Sequence, residues 1–144
     1  MKKLFIGLSL LLTFGLMSYA QTPDPLVGKC VISVGDDAKY LKDFRIQLGK
    51  GDAKGELRFK APCSLWKNMK YRFTMCNSEG SKGQLILNIR DEANKVVLSS
   101  FDQKSGKIFQ VVNFECRKSG IYQLNYDFID GQQGSGIGIV SIVK

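Results

Sequence analysis

The feature that most restricts the fold of this chain is an alternation of apolar and polar residues with a period of two. This period is typical of strands that bury one face. It occurs in Cys30-Ile32-Val34, Phe44-Ile46-Leu48, Leu57-Phe59-Ala61, Tyr71-Phe73-Met75, Leu85-Leu87-Ile89 and Tyr122-Leu124-Tyr126-Phe128. Three further runs, 96–101, 108–116 and 137–143, are apolar on both faces and predict central or doubly covered strands.

The spacing of these segments predicts one all-β domain. The candidate strands begin near residues 29, 43, 55, 70, 83, 95, 107, 120 and 134. Successive starts lie 12 to 15 residues apart and are separated by turn-forming residues, as in Gly49–Gly55. We therefore expect an antiparallel β-sandwich of eight or nine strands over residues 29–144.

The N-terminus has the layout of a secretory signal peptide. Two lysines precede the apolar run Leu4–Met17, and Ser18–Ala20 supplies small residues for cleavage, so we expect a leader over residues 1–20. The run is too short to span a membrane, and no later segment is apolar enough to do so. We expect a mature chain without a transmembrane segment, exported to the periplasm, the cell surface or the medium, with residues 21–28 as a loose lead-in.

The chain contains four cysteines, Cys30, Cys63, Cys76 and Cys116. An even number in an exported protein predicts a disulfide framework, for which three connectivities exist. The strand pattern favours Cys76–Cys116, because both cysteines lie near strand ends, and this leaves Cys30 to pair with Cys63. The spacing does not match the closely spaced pairs of a zinc site.

The absence of histidine limits the chemistry that this chain can perform. No residue is available for His-based acid–base catalysis, for a Ser-His or Cys-His pair, or for metal ligation by imidazole. No pair of carboxylates stands out in the sequence. We therefore expect a protein that is not an enzyme, with a cryptic glycan hydrolase as the third hypothesis for its function.

The net charge of +8 is concentrated in one part of the chain. Residues 39–72 include five basic side chains on the polar positions of candidate strands: Arg45, Arg58, Lys60, Lys70 and Arg72. If these strands were neighbours, the side chains would form one basic face that attracts an anionic polysaccharide or envelope component. The alternative is a solvated face that only maintains solubility. Aromatic residues are not interleaved with the charges as in nucleic-acid-binding surfaces, so we expect no nucleic acid partner.

Trp66 is the only tryptophan and lies in a candidate loop. Its ring would either stack on a sugar or cap the end of the core, and the second role is the more common one.

A cluster of oxygen ligands occurs at Asp91, Glu92 and Asn94. It would be a candidate site for a structural Ca²⁺ ion, but Asp and Asn are also common in turns for backbone reasons. No other cofactor is expected.

The second half of the chain resembles the bacterial pre-peptidase C-terminal domain. Its strand motifs Y-x-F, L-x-L-x-D, L-x-S and G-x-Y-x-L are similar to segments Lys70–Thr74, Leu85–Asp91, Val97–Ser100 and Gly120–Leu124. The chain also looks like small stand-alone exported bacterial proteins with Phe-x-Cys, Gly-x-Tyr and Asp-Gly in series. The resemblance implies a jelly-roll-like sandwich that aids export or binds polymers, and it supplies no catalytic residue.

Together these features predict a non-catalytic, exported binding or accessory module that contacts a glycan of the envelope or of an extracellular polymer. The alternative is a structural subunit that pairs with a partner protein through a sheet face or an edge strand.

Overall fold

The computed structural model describes residues 25–52 and 55–144, so the expected signal peptide and residues 21–24 of the lead-in lie outside the described residues. Eight strands and one α-helix make up the described fold. They are α1 (Pro25–Val34), β1 (Ala38–Leu48), β2 (Phe59–Leu65), β3 (Lys70–Asn77), β4 (Leu85–Arg90), β5 (Val96–Ser99), β6 (Val111–Glu115), β7 (Gly120–Phe128) and β8 (Gly134–Val143), with a single 3₁₀ turn at Ile129–Gly131.

The strands form two antiparallel sheets of four, in the orders β1-β8-β3-β6 and β2-β7-β4-β5. The strands β1, β2 and β3 alternate between the two sheets, and β8 lies between β1 and β3 and pairs with both. This is the order of a jelly roll, in which two Greek keys build one sandwich. The predicted all-β, disulfide-stabilised sandwich is confirmed.

The core lies between the two sheets and is closed by large side chains on their inner faces. Tyr126, Phe73 and Phe128 are fully buried there. Gly138 of β8 makes room for the Tyr126 ring, because any Cβ at that position would collide with the ring and its hydroxyl. A small residue in the last strand therefore permits a bulky one on the facing sheet.

A helix replaces the first predicted strand. The pattern Cys30-Ile32-Val34 suggested a strand, but Leu26, Cys30 and Val34 also recur every four residues and form the apolar side of α1. Ile32 is 81% exposed, so it is not part of a buried alternation. The helix ends before Gly35, which adopts a left-handed conformation with φ of 88°. Residues 25–28 of the lead-in belong to this helix.

The helix packs on the outer face of the β1-β8-β3-β6 sheet, which we call the covered face. Cys30 and Val34 contact Ile137 and Ile139 of β8, and the Cys30–Cys76 disulfide joins the helix to β3. No helix among the described residues packs on the outer face of the β2-β7-β4-β5 sheet, which we call the open face.

The disulfide pairing predicted from the sequence is wrong. Cys30 pairs with Cys76, with a Cα–Cα distance of 5.8 Å, and Cys63 and Cys116 are buried free thiols. The Cys63 thiol faces the core from β2, and its burial raises its pKa. The Cys116 sulfur lies 3.8 Å from the Tyr122 hydroxyl. Strand alternation could not reveal the true pairing, because it depends on a helix packed across the other side of the sheet.

Candidate functional site

The five predicted basic residues do not share a sheet face. Arg45 lies on β1, and Lys70 and Arg72 lie on β3, all in the β1-β8-β3-β6 sheet. Arg58 directly precedes β2, and Lys60 lies within it, in the other sheet. The predicted single basic face required β1, β2 and β3 to be neighbours in one sheet, and the jelly-roll topology separates them.

Arg72 attaches the helix to the covered face. Its guanidinium donates hydrogen bonds to the Asp37 carboxylate at 2.6 and 3.1 Å, to the Val34 carbonyl at 2.7 Å and to the Asn113 side chain at 2.9 Å. The Val34 carbonyl is at the end of α1, where backbone acceptors lack partners within the helix. The hydrogen bond from Arg72 lowers the pKa of Asp37. Arg72 therefore has a structural role.

Arg58 is held by a buried carboxylate. Its guanidinium and its backbone N–H both donate to Asp127, the side-chain distances being 2.9 to 3.3 Å, and the Asp127 side chain is 5% exposed. Desolvation alone would raise the pKa of Asp127. The hydrogen bonds from Arg58 and from the Phe128 N–H outweigh this effect, and the pKa is lowered.

The same guanidinium also fixes the β1–β2 connection. Arg58 Nη1 donates to the Gly49 carbonyl at 2.7 Å, and a Cβ at Gly51 would collide with it. The Gly51 N–H in turn donates to the Gly131 carbonyl at 2.8 Å. Arg58 thus ties the connection to β7 and to the turn that follows β7.

The other basic candidates are more exposed. Lys60 makes a 2.6 Å ion pair with Glu56, four residues earlier, and this pair lowers the pKa of Glu56. Lys70 is exposed opposite Glu115 of β6, and Arg45 is exposed beside α1.

A groove of about 580 Å³ lies on the open face between the β1–β2 and β5–β6 connections. Ile86 and Asn88 of β4 line it together with Val96 and Ser99 of β5. Further lining residues come from the two connections and from the segment 127–131: Asp52, Gly55, Glu56, Leu57, Phe101, Asp102, Gln103, Lys104, Asp127, Phe128, Ile129, Asp130 and Gly131.

The groove is rich in hydrogen-bonding groups and is acidic. Its lining includes the carboxylates of five residues, Asp52, Glu56, Asp102, Asp127 and Asp130, against one lysine, Lys104. Asp102 accepts hydrogen bonds from the Lys104 N–H and the Ser105 hydroxyl, which lower its pKa. This electrostatic environment is suited to polar, uncharged or cationic ligands more than to an anionic polymer.

Asn125 adds an unpaired polar group beside the groove. It lies opposite the groove residue Asn88 in the β4–β7 pair and opposite Lys60 in the β2–β7 pair. The residue is 1% exposed, and its Oδ1 atom makes no hydrogen bond. This amide oxygen is therefore an acceptor without a protein partner beside the groove.

Trp66 does not cap the core, contrary to the role that is more common for a lone tryptophan. It follows β2 and is 67% exposed. Its turn is held firmly: the Trp66 N–H donates to the buried Tyr71 hydroxyl at 2.8 Å, and the Lys67 N–H donates to Ser119 Oγ at 2.7 Å. The Asn68 N–H completes the turn by donating to the Cys116 carbonyl at 2.8 Å.

The predicted calcium ligands form the β4–β5 turn. Asp91 Oδ1 accepts a hydrogen bond from the Lys95 N–H at 2.9 Å, and Asn94 adopts a left-handed conformation. Glu92 accepts a 3.4 Å hydrogen bond from the Ile121 N–H. Within residues 25–52 and 55–144, no group of three or more Cys, Asp or Glu side chains is placed to hold a metal ion.

Sequence reasoning missed the groove because its walls come from connections far apart in the chain. The Arg58–Asp127 pair is 69 residues apart, and no spacing rule relates the two positions. The sequence signal for the groove is its acidic connections, which hold Asp52, Glu56, Asp102 and Asp130.

Within the described part of the chain, no helix has the length and apolar character needed to cross a membrane. A scan against protein-family models and a search of curated proteins found no match to this chain.

Proposed function

We propose that this chain is an exported, non-catalytic binding module that holds a glycan of the envelope or of an extracellular polymer on its open face. The observation that carries the proposal is the groove between the β1–β2 and β5–β6 connections. It offers amides, hydroxyls and carboxylates over an apolar floor that includes Ile86, next to Phe101. Such a mixture matches a sugar ring, which presents many hydroxyls around a partly apolar face.

Export is supported by two features. The Cys30–Cys76 disulfide is compatible with an oxidising compartment, and the first 20 residues have the pattern of a secretory leader. The resemblance to pre-peptidase C-terminal domains agrees with a role beside extracellular polymers.

The electrostatic character of the groove favours a neutral glycan over an anionic one. The two arginines expected to attract an anionic polymer, Arg58 and Arg72, are already bound by Asp127 and Asp37. The groove itself presents carboxylates. We therefore place neutral polysaccharides first among the ligands.

The state of the groove carboxylates supports binding over hydrolysis. A glycosidase needs one carboxylic acid with a raised pKa as the proton donor. Hydrogen bonds and ion pairs lower the pKa values of Asp102, Glu56 and Asp127, so these three groups are poor donors near neutral pH.

Binding to insoluble polysaccharides, followed by titration with neutral oligosaccharides, tests this function. Replacing Asn88 or Gln103 by Ala should weaken binding about tenfold through lost hydrogen bonds while leaving the melting temperature unchanged. Gln47→Ala removes an exposed amide from the other sheet and is the matched control. Binding that survives both groove substitutions, or that is confined to anionic polymers and disappears with salt, would contradict the proposal.

A second candidate is a subunit role through the edges of the sandwich. The edge strands β5 and β6 follow one another in the chain, and the side chains of Val96, Val97 and Val111 on them, and of Phe109 in their connection, are partly exposed. Exposed edges with apolar residues are suited to pairing with another chain. Sedimentation of the chain alone and with extracts would reveal such an assembly, and Val97→Lys should disrupt it.

A further inference from the structure

We propose that Trp66 forms a second contact for the same glycan, so that the module recognises an extended polysaccharide chain and not a single sugar. This inference rests on the proposed function of the groove. It concerns the opposite end of the open face, where the β2–β3 turn and the β4–β5 turn lie.

The position of Trp66 follows from the pairing of β2 with β7. Ser64 of β2 pairs with Ile121 of β7, and Leu65 pairs with Gly120. Leu65 is buried in the core, whereas Ser64 and Ile121 point to the open face. Trp66 is exposed and lies two residues after Ser64, so it continues the outward alternation of the strand. Continuing the register beyond Leu65–Gly120, we infer that Trp66 and Ile121 occupy diagonal positions on the open face.

Trp66 is exposed, but the turn that carries it is held by hydrogen bonds. Three backbone N–H groups of its turn, from Trp66, Lys67 and Asn68, have partners on neighbouring segments of the fold. Asn68 holds a left-handed conformation with φ of 69°. A ring presented in this way loses little conformational freedom on binding, which is the advantage of a preorganised contact.

An apolar side chain and a hydrogen-bond acceptor lie near Trp66. Ile121 is 59% exposed and extends the apolar surface. Glu92 lies against Gly120, where a Cβ would collide with its carboxylate, and places an acceptor beside this surface. An aromatic ring flanked by hydrogen-bonding groups fits the apolar face and the hydroxyls of one sugar unit.

The groove and the Trp66 contact are further apart than the length of one sugar ring. Asn88 of the groove is level with Asn125 on β7, four residues from Ile121. At the rise of a β-strand this separation is about 14 Å, which is longer than one sugar ring. Gln123 of β7 and Arg90 of β4, which pair with each other, lie between the contacts and offer polar groups. A ligand that uses both contacts must therefore be a chain.

The single tryptophan makes a site-specific test possible. The probes are size ladders of neutral cello-, chito-, manno- and xylo-oligosaccharides, added to the full mature chain while tryptophan emission and calorimetric binding are recorded. We expect the shortest members to bind without changing the emission. Longer members should change the emission and bind more tightly.

Variants separate this inference from the proposed function. Trp66→Ala should reduce affinity for the long oligosaccharides on the order of tenfold and leave the short ones unaffected, with partial recovery in Trp66→Phe. Ile32→Ala removes an exposed apolar side chain from the helix on the covered face and should change nothing.

If Asn88→Ala weakens binding while Trp66→Ala does not, and emission is constant along every ladder, the Trp66 contact is refuted and the groove function stands. Failure of the wild-type chain to bind any ladder overturns both. Equal losses for short and long oligosaccharides in Trp66→Ala would also refute the inference, because they would place the ring at the same sugar unit as the groove.

Discussion

The outer faces of the two sheets differ in what covers them. On the covered face, β8 presents Ile137 and Ile139, and the helix α1 shields them under the Cys30–Cys76 disulfide. On the open face, most of the outward positions of β4 and β7 hold polar residues such as Asn88 and Gln123, and no helix from residues 25–52 or 55–144 covers them. An apolar outer face requires a cover, whereas a polar one can remain in contact with water and with a ligand. The contrast gives one face an apolar cover and leaves the other open at the groove.

The largest effect on stability is expected when the disulfide that holds α1 on the covered face is removed. The disulfide links residues 46 apart, so its loss should lower the free energy of unfolding by about 4 kcal/mol in the loop-entropy description. Paired Cys30→Ser and Cys76→Ser substitutions, measured by denaturant unfolding, check this value.

Thiol labelling provides the control for that experiment. The unfolded, unreduced wild-type chain should show two reactive thiols, Cys63 and Cys116, and the double variant should show the same two. Labelling of Cys30 or Cys76 in the wild type, or no labelling at all, would contradict the pairing. Glycan binding at the folded open face should survive the double substitution, and its loss would contradict the division between the faces.

A smaller effect is expected from Arg58, which belongs to the open face. Arg58→Met keeps the aliphatic part of the side chain but leaves Asp127 buried without its partner, so stability should fall by about 2–3 kcal/mol. Glycan affinity should fall as well, because the β1–β2 wall of the groove loses its hydrogen bond to Gly49. Lys70→Met removes an exposed charge and is the control for both measurements; an equal loss there would contradict the role of Arg58.

The smallest effect concerns acid stability. Asp127 and Asp37 both have pKa values lowered below 3.8, by hydrogen bonds from Arg58 and Arg72 respectively. A carboxyl group of this kind stabilises the fold fully above its ordinary pKa, and the contribution is lost as the pH falls through the lower folded value. We therefore expect stability to decline below about pH 4.

Two substitutions distinguish the faces in this pH range. Asp127→Asn should flatten the acid decline more than Asp37→Asn, because Asp127 is almost fully buried whereas the Asp37 side chain is 62% exposed and more strongly screened by solvent. The melting temperatures of both variants, measured between about pH 2 and about pH 7, cover the range around the ordinary carboxyl pKa. A steeper dependence on Asp37 would place the dominant acid-sensitive pair on the covered face.

Apolar runs were a poorer guide to strand position than the alternating segments. The runs 96–101, 108–116 and 137–143 all predicted central or doubly covered strands. Only the last is central, as β8, whereas β5 and β6 are edge strands with partly exposed valines. A continuous apolar run shows that both faces of a segment lack polar side chains, but it does not determine whether strands pair on both of its sides.

The amino-acid pattern by itself determined the fold class and the approximate positions of eight strands. These properties depend on local periodicity and on turn residues, which act over a few positions. The tertiary structure alone decided that Cys30 pairs with Cys76, that Arg58 binds Asp127 of β7 whereas Arg72 binds Asp37 before β1, and that a groove forms on the open face. Each of these depends on the order in which strands pair. That order is set by burying the whole core at once, so no short stretch of sequence contains it.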